Sequence, residues 1–183
     1  NHGWISKRYA KALFEYSTER GEYKALYERM QLCLRCMEAV PRIREVLVNP
    51  AVTRAEKEAL LITAAGGDVE EGFRRFVNLV LDNEREGLFR YMALSYLDIY
   101  RRAHNIVVIT LVSVIPMSEL SLERIRLDVE RRTHATVELE MRVDKSLEGG
   151  FIFQVDDLRL DASVAGQLER IRQQYIQKNR MIV

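Results

Sequence analysis

The hydrophobic pattern of the chain changes near residue 105. Before that point apolar residues recur every three or four positions, which is the spacing of amphipathic helices. Turn-forming residues interrupt this spacing at Gly21, Pro41, Asn49-Pro50, Gly66-Gly67-Asp68 and Gly87. The pattern therefore predicts about six helical segments in the first part of the chain.

Beyond residue 105 the pattern mixes strands and helices. The β-branched run over residues 106–115 predicts a buried strand, and Ser121 can cap the helix that follows. The segment "TVELEMRV" alternates apolar and charged residues, as a half-buried strand does. Two shorter strands, "GFIFQV" and "LRL", flank a turn at Asp156-Asp157, and Ser163 can cap a last helix.

These elements predict an α+β fold. We expect an N-terminal six-helix bundle over residues 1–105 and a small C-terminal α/β domain over residues 106–183, with no repeat or low-complexity linker between them. The longest apolar run, "IVVITLVSVIP", is shorter than the roughly 20 residues that a membrane-spanning helix needs. We therefore expect no direct insertion into a membrane.

Charge and cysteine content restrict the partners and the compartment. The chain has 28 Lys and Arg against 27 Asp and Glu, a formal net charge of +1. It lacks the bulk positive charge that attracts nucleic acid without regard to sequence, so we expect no nucleic-acid partner. The first residues lack an export pattern and the chain has only two cysteines, so we expect reduced thiols in a cytoplasm.

Both cysteines lie in the C-x-x-C spacing of "QLCLRCMEAV", which can mark a redox dithiol or half of a metal site. The helical periodicity places Cys33 in the middle of a packed helix face and Cys36 at its rim, whereas a redox thiolate needs a helix N-terminus. A zinc site would need two more ligands, and the histidines, at positions 2, 104 and 134, are not spaced to supply them. We interpret Cys33 as a buried apolar residue, with a thiol-disulfide enzyme as an alternative.

Other sequence patterns give no sign of catalysis. The chain contains neither a G-x-x-x-x-G-K-[ST] phosphate loop nor a G-x-S-x-G nucleophile, and its carboxylates are spread over solvated helix faces. We expect no catalytic residue, no cofactor and no metal.

The strand in "GGFIFQV" leaves one alternative open. Its Phe151 and Phe153 share a strand face, as the RNA-stacking aromatics of an RNA-recognition domain do. That motif begins with Lys or Arg, whereas Glu148 precedes the glycine pair here. We favour core packing of the two rings and keep RNA binding as the alternative function.

The first helix has an unusually wide apolar face. In "WISKRYAKALFEYS" this face covers about half of the helix circumference, more than the roughly 100° that burial against one neighbour explains. The surplus indicates either a helix packed on two sides or a surface for an amphipathic partner helix. The face consists of Ile5, Tyr9, Ala10, Ala12, Leu13, Phe14 and Tyr16.

Several segments together resemble one known family, the delta subunit of bacterial F-type ATP synthases, counterpart of the mitochondrial oligomycin-sensitivity-conferring protein. "RYAKALFEYS" is similar to the family's opening helix, and "NPAVTRAEKEALL" to its Asn-Pro turn and next helix. "VNLVLDNEREGLF" resembles its fifth helix with the Asn-x-Arg at Asn83 and Arg85. "VDKSLEGGFIFQVDDLRLDASVAGQLERI" resembles its C-terminal signature. The resemblance covers nearly the whole chain in the family's order.

Three positions depart from the family pattern. Asp156 and Ala162 stand where the family often has glycine, and Glu148 replaces a commonly apolar residue before the glycine pair. We therefore expect the hairpin and the entry to the last helix to differ locally from the family, although Asp tolerates left-handed geometry better than Ala does.

The resemblance implies a non-catalytic stator role. The subunit would sit on the catalytic alpha/beta head, link it to the b subunits of the peripheral stalk and resist rotor torque, at the cytoplasmic face of the bacterial inner membrane. Helices 1 and 5 would hold the N-terminal helix of an alpha subunit in a groove, and the C-terminal domain would bind the end of the b subunits. The groove residues implied in this way are Tyr9, Ala10, Leu13, Phe14, Phe73, Phe76, Val77 and Val80. The candidates for the b contact are Tyr175, Ile176, Met181, Ile182 and Val183.

Overall fold

A computed structural model of the chain describes residues 2–147, 149–155 and 158–161. It divides the chain into two compact units, Asn1–Ala103 and His104–Val183. The first unit is helical and the second combines strands with a helix, so the predicted α+β class is confirmed. The predicted turn at Asp156-Asp157, the predicted helix after Ser163, and the departures at Glu148 and Ala162 lie outside the described residues.

Helices occupy most of the first unit. A single 3-10 turn, Glu86–Leu88, leads into the last of them. The α-helices described in this unit are α1 (His2–Arg20), α2 (Tyr23–Ala39), α3 (Arg42–Val48), α4 (Arg54–Ala64), α5 (Glu71–Asp82) and α6 (Phe89–Ala103).

Local chemistry explains where these helices begin and end. Gly21 follows α1 with φ of 71°, a left-handed conformation that glycine adopts without steric cost. Thr53 begins α4 with a capping box, since its side chain accepts from the Glu56 amide while the Glu56 carboxylate accepts from the Thr53 amide. The breaks read from the sequence therefore coincide with the helix boundaries.

The core of the first unit forms where α1 and α2 pack against α6. Met92 and Tyr96 of α6, Leu26 and Met30 of α2 and Phe73 of α5 are fully buried. The Tyr96 hydroxyl lies 2.9 Å from Ser17 Oγ and donates to the Tyr23 carbonyl at 3.1 Å, which satisfies the one polar group that this side chain brings into the core. The tyrosine thereby joins α1, α2 and α6.

The second unit contains a sheet of four strands within the described residues, in the order β2-β1-β3-β4. Strand β1 pairs in parallel with β2 and antiparallel with β3, which pairs antiparallel with β4. Helix α7 (Glu119–Thr133) connects β1 to β2, as a parallel strand pair requires. The strands are β1 (Ile106–Ser113), β2 (Thr136–Val143), β3 (Phe151–Val155) and β4 (Leu158–Asp161).

Two predicted boundaries in this unit are wrong. Helix α7 is capped by Ser118 and not by Ser121, because Ser118 has the extended backbone of an N-cap and its side chain accepts from the Ser121 amide. Strand β1 ends at Ser113, two residues before the predicted end at Ile115. There the Ser113 hydroxyl donates to the carbonyl of Ile115, so the chain bends out of the strand. Ile115 is consequently 70% exposed.

The Tyr96 hydroxyl provides a test of the three-helix junction. Replacing Tyr96 by Phe keeps the ring but leaves the part-buried Tyr23 carbonyl without this donor, so we expect Tyr96→Phe to lower the free energy of unfolding by about 1–2 kcal/mol. Urea unfolding followed by circular dichroism measures the change. An unchanged midpoint would contradict the role assigned to this hydroxyl.

Candidate partner-binding groove

An open groove runs between α1 and α5. Tyr16, near the end of α1, approaches Gly72 at the start of α5. Earlier in α1 and later in α5, the rings of Tyr9 and Phe76 make an edge-to-face contact, with centroids 6.5 Å apart. The two helices are therefore antiparallel. The groove has a volume of about 490 Å³. Its lining residues are Arg8, Tyr9, Ala12, Leu13, Tyr16, Gly72, Arg75, Phe76 and Leu79.

The groove floor is apolar and its edges are partly exposed. Leu13 and Phe76 are 5% and 4% exposed and form the floor, whereas Leu79 on the α5 wall is 51% exposed. One turn before Arg8, Trp4 extends the same row of α1 and is 65% exposed. An apolar surface of this kind, open between two helices, is where the unit can bury a partner.

The turn after α5 positions Tyr9. Glu84 adopts φ of 53°, and the next amide, of Arg85, donates to the Val80 carbonyl at 3.0 Å, which closes the end of the helix. This reversal returns the Arg85 side chain to α1, where its guanidinium donates to the Tyr9 hydroxyl at 2.8 Å and lies 5.3 Å from the ring centroid. The Asn-x-Arg segment thus fixes an aromatic side chain at one end of the groove.

Gly72 allows a close approach at the other end. The Glu22 carboxylate accepts from the Gly72 amide at 3.1 Å, and a Cβ at position 72 would collide with it. A carboxylate at this position satisfies an amide that the first turn of α5 cannot pair. Beside it, the Tyr16 hydroxyl is buried and makes no hydrogen bond of normal geometry with the described residues, although it interacts electrostatically with the Arg75 guanidinium.

Of the eight groove residues implied by the resemblance, the structure places some in the groove and others in the core. Tyr9, Leu13 and Phe76 line the groove. Phe14 instead packs against Tyr96, with ring centroids 5.9 Å apart. Four others are fully buried in the core, because they face the bundle interior from the inner side of α1 and α5: these are Ala10, Phe73, Val77 and Val80.

Several lining residues were not among those implied. Ala12 and Tyr16 belong to the wide apolar face of α1, which was the available signal for them. On α5 the groove side follows the helical spacing Gly72, Arg75, Leu79, but a glycine and an arginine interrupt its hydrophobic pattern. Arg8 and Arg75 give no apolar signal at all, so periodicity could not find them.

The cysteines occupy the predicted positions. Cys33 is fully buried in the middle of α2, where its thiol donates to the Leu61 carbonyl at 3.8 Å, and Cys36 is half-buried. Burial raises the pKa of the Cys33 thiol to about 12, with a smaller contribution from Cys36. Cys33 therefore stays a thiol at neutral pH, as the interpretation of it as an apolar residue requires.

The aromatic residues of β3 are placed differently from the expectation. Ile152 is 5% exposed, whereas Phe151 is 45% exposed and Phe153 is half-buried. The expected core packing is thus wrong for Phe151, because Ile152 occupies the buried face and Phe151 stands at the end of the strand, paired with Ser113. The five candidates for the b contact lie outside the described residues.

The described part of the chain contains neither a cluster of metal ligands nor a membrane-spanning helix. Among residues 2–147, 149–155 and 158–161, no three metal-ligating side chains converge on one point. None of the helices in those ranges combines the length and the apolar character needed to cross a bilayer.

The fold and the site together define an α+β protein with an open apolar groove between two helices of its helical unit. Residues 5–175 match the model of the ATP synthase delta (OSCP) subunit family. The chain belongs to this family, whose members are non-catalytic, stator subunits of the ATP synthase.

Individual relatives agree with that assignment. The ATP synthase subunit delta of Phocaeicola vulgatus is 44% identical over 182 residues, 99% of this chain and 98% of that protein. The one from Bacteroides thetaiotaomicron is 45% identical over 183 residues, with the same coverage. A chain in the structure of the Toxoplasma gondii mitochondrial ATP synthase hexamer has the same fold, with a TM-score of 0.72 at 18% identity, covering 94% of this chain and 97% of that one.

The thiol environment predicts selective alkylation. We expect iodoacetamide to modify Cys36 in the native full-length chain and to reach Cys33 only after unfolding, because burial keeps Cys33 protonated and covered. Mass spectrometry of peptides from native and denatured samples measures both sites. Preferential native labelling of Cys33 would instead favour the thiol-disulfide alternative.

Tyr16 offers a second stability test in the groove. Because no described residue gives this buried hydroxyl a hydrogen bond of normal geometry, Tyr16→Phe removes a poorly compensated polar group, and we expect the free energy of unfolding to rise by about 1 kcal/mol. The matched comparison is Tyr96→Phe, the same change at a hydroxyl that has partners. Loss of stability in both variants would show that the Tyr16 hydroxyl is bonded in solution.

Proposed function

We propose that the N-terminal six-helix bundle of this stator subunit holds the N-terminal helix of an alpha subunit in the groove between α1 and α5. The C-terminal domain then binds the b subunits, so that the chain links the catalytic head to the peripheral stalk. The observation that carries the proposal is the open apolar groove itself, whose wall leaves Leu79 half exposed.

The dimensions of the lining side chains suit a helix. Ala12 on one wall and Gly72 on the other are small, which lets the backbone of an occupant come close to both helices. Leu13 and Phe76 offer the occupant's apolar stripe a floor already packed against the core. A preformed floor lowers the entropic cost of docking, because few groove side chains need to be ordered.

Mechanical demands favour such a contact. A stator transmits torque without dissociating, and affinity differences between related complexes arise mostly in the dissociation rate. Apolar burial in a groove is not screened by salt, whereas exposed charge pairs are. The apolar floor therefore suits a long-lived joint between the head and the stalk.

The remaining contacts of the proposal concern the C-terminal domain. Tyr175, Ile176 and the tail residues Met181, Ile182 and Val183 are the candidates for the b subunits, supported by the family resemblance of that segment. The complex would place the chain at the cytoplasmic face of a bacterial inner membrane, as a peripheral protein. The RNA-binding alternative has no support in the family or its relatives.

Leu79 gives the groove a test that does not disturb the core. We expect Leu79→Asp to weaken binding of a synthetic peptide of the alpha subunit's N-terminal helix, from the same organism, at least about tenfold, because docking would lose an apolar contact and remove a carboxylate from water. Titration calorimetry with the full-length chain measures the dissociation constant.

A matched control is available on α6. Leu94 is 41% exposed and does not line the groove, so Leu94→Asp introduces the same charge at a leucine of comparable exposure. We expect this variant to bind like the original chain, and circular dichroism to show both variants folded. If the folded Leu79→Asp variant binds the alpha peptide as tightly as the unsubstituted chain does, the groove assignment is contradicted.

A further inference from the structure

The charges at the groove walls point to the chemistry of its occupant. Both charged side chains that line the groove are arginines, Arg8 on the α1 wall and Arg75 on the α5 wall, and no carboxylate lines it. The whole chain is close to neutral, so this local excess of positive charge does not follow from composition. A helix lying between these walls passes one guanidinium on each side.

Arg8 has capacity for a partner. Its guanidinium lies 5.7 Å from the centroid of the exposed Trp4 ring, and no carboxylate in the described part of the chain forms an ion pair with it. All five of its N–H donors are thus open to solvent or to a docked acceptor. The planar guanidinium suits a carboxylate, which it can bind through two parallel hydrogen bonds.

Arg75 can change its partner at little cost. It pairs with Glu71 one turn earlier on α5, Nε to Oε1 at 2.7 Å, but both side chains are more than half exposed. Exposed pairs of this spacing contribute little to stability, because solvent and salt screen the two charges. A carboxylate brought over the groove by a docked helix can therefore share or replace Glu71.

From this geometry we infer that the groove selects an amphipathic helix with an acidic residue on each side of its apolar stripe, one facing Arg8 and the other facing Arg75. The inference rests on the proposed docking of the alpha N-terminal helix and deepens it. The apolar floor supplies the burial, and the two arginines fix the register of the occupant and discriminate against helices with basic flanks.

The test uses full-length variants and the synthetic alpha peptide. We expect Arg8→Gln and Arg75→Gln each to raise the dissociation constant about threefold to tenfold at low salt, mainly through slower association, and the loss to shrink as salt is added. Replacing the peptide's flanking acidic residues singly by their amides is expected to have the same effect. Combining each protein variant with its matching peptide variant should cost less than the sum of the two single changes.

Arg90 provides the matched control. It too lies over an aromatic ring, 5.9 Å from the centroid of Tyr91, and it is outside the groove. Arg90→Gln removes the same charge and is expected to bind the peptide normally. If the Arg8 and Arg75 variants bind the peptide as tightly as the unsubstituted chain does, the inference is overturned while the docking stands. The same holds if the alpha helix has no acidic residues flanking its apolar stripe. No binding by the original chain would overturn the docking itself and the inference with it.

Discussion

Helix α1 carries more apolar surface than a single neighbour can cover. Both the core of the first unit and its groove depend on how this surface is shared between buried and open sides. Its inner side, with Ala10 and Ser17, is buried in the bundle, and Ser17 meets Tyr96 of α6 there. Its outer side, with Tyr9, Ala12 and Tyr16, lines an open groove. One helix thus contributes both to the core and to the wall of the groove.

The groove is preorganised by polar contacts at both ends. Arg85 holds the Tyr9 ring from the turn after α5, and Glu22 caps α5 beside Gly72. These contacts fix the two ends of the groove within the chain itself. The Cys33 thiol lies elsewhere in this unit. It is buried, its pKa is raised to about 12, and it contributes packing.

The C-x-x-C pair and the β3 aromatics show how a sequence motif depends on its surroundings. Cys33 and Cys36 have the spacing of a redox dithiol, but their position in the middle of α2 denies Cys33 the helix N-terminus that would lower its pKa. Phe151 and Phe153 have the spacing of a stacking face, yet the face buried in the sheet is that of Ile152. In both cases the spacing was correct and the environment decided its meaning.

The sequence by itself determined the helical first part, the strand alternation of "TVELEMRV", the main breaks between helices and the family, because periodicity, turn residues and motif order are local properties of the chain. Only the tertiary structure decided which apolar residues of α1 and α5 face the groove. Ala10 and Ala12, or Phe73 and Phe76, have the same hydrophobicity, and their division between core and groove is set by where α6 and the neighbouring helices pack. Arg8 and Arg75 become a pair only because α1 and α5 run antiparallel, a relation between distant segments that no local pattern contains.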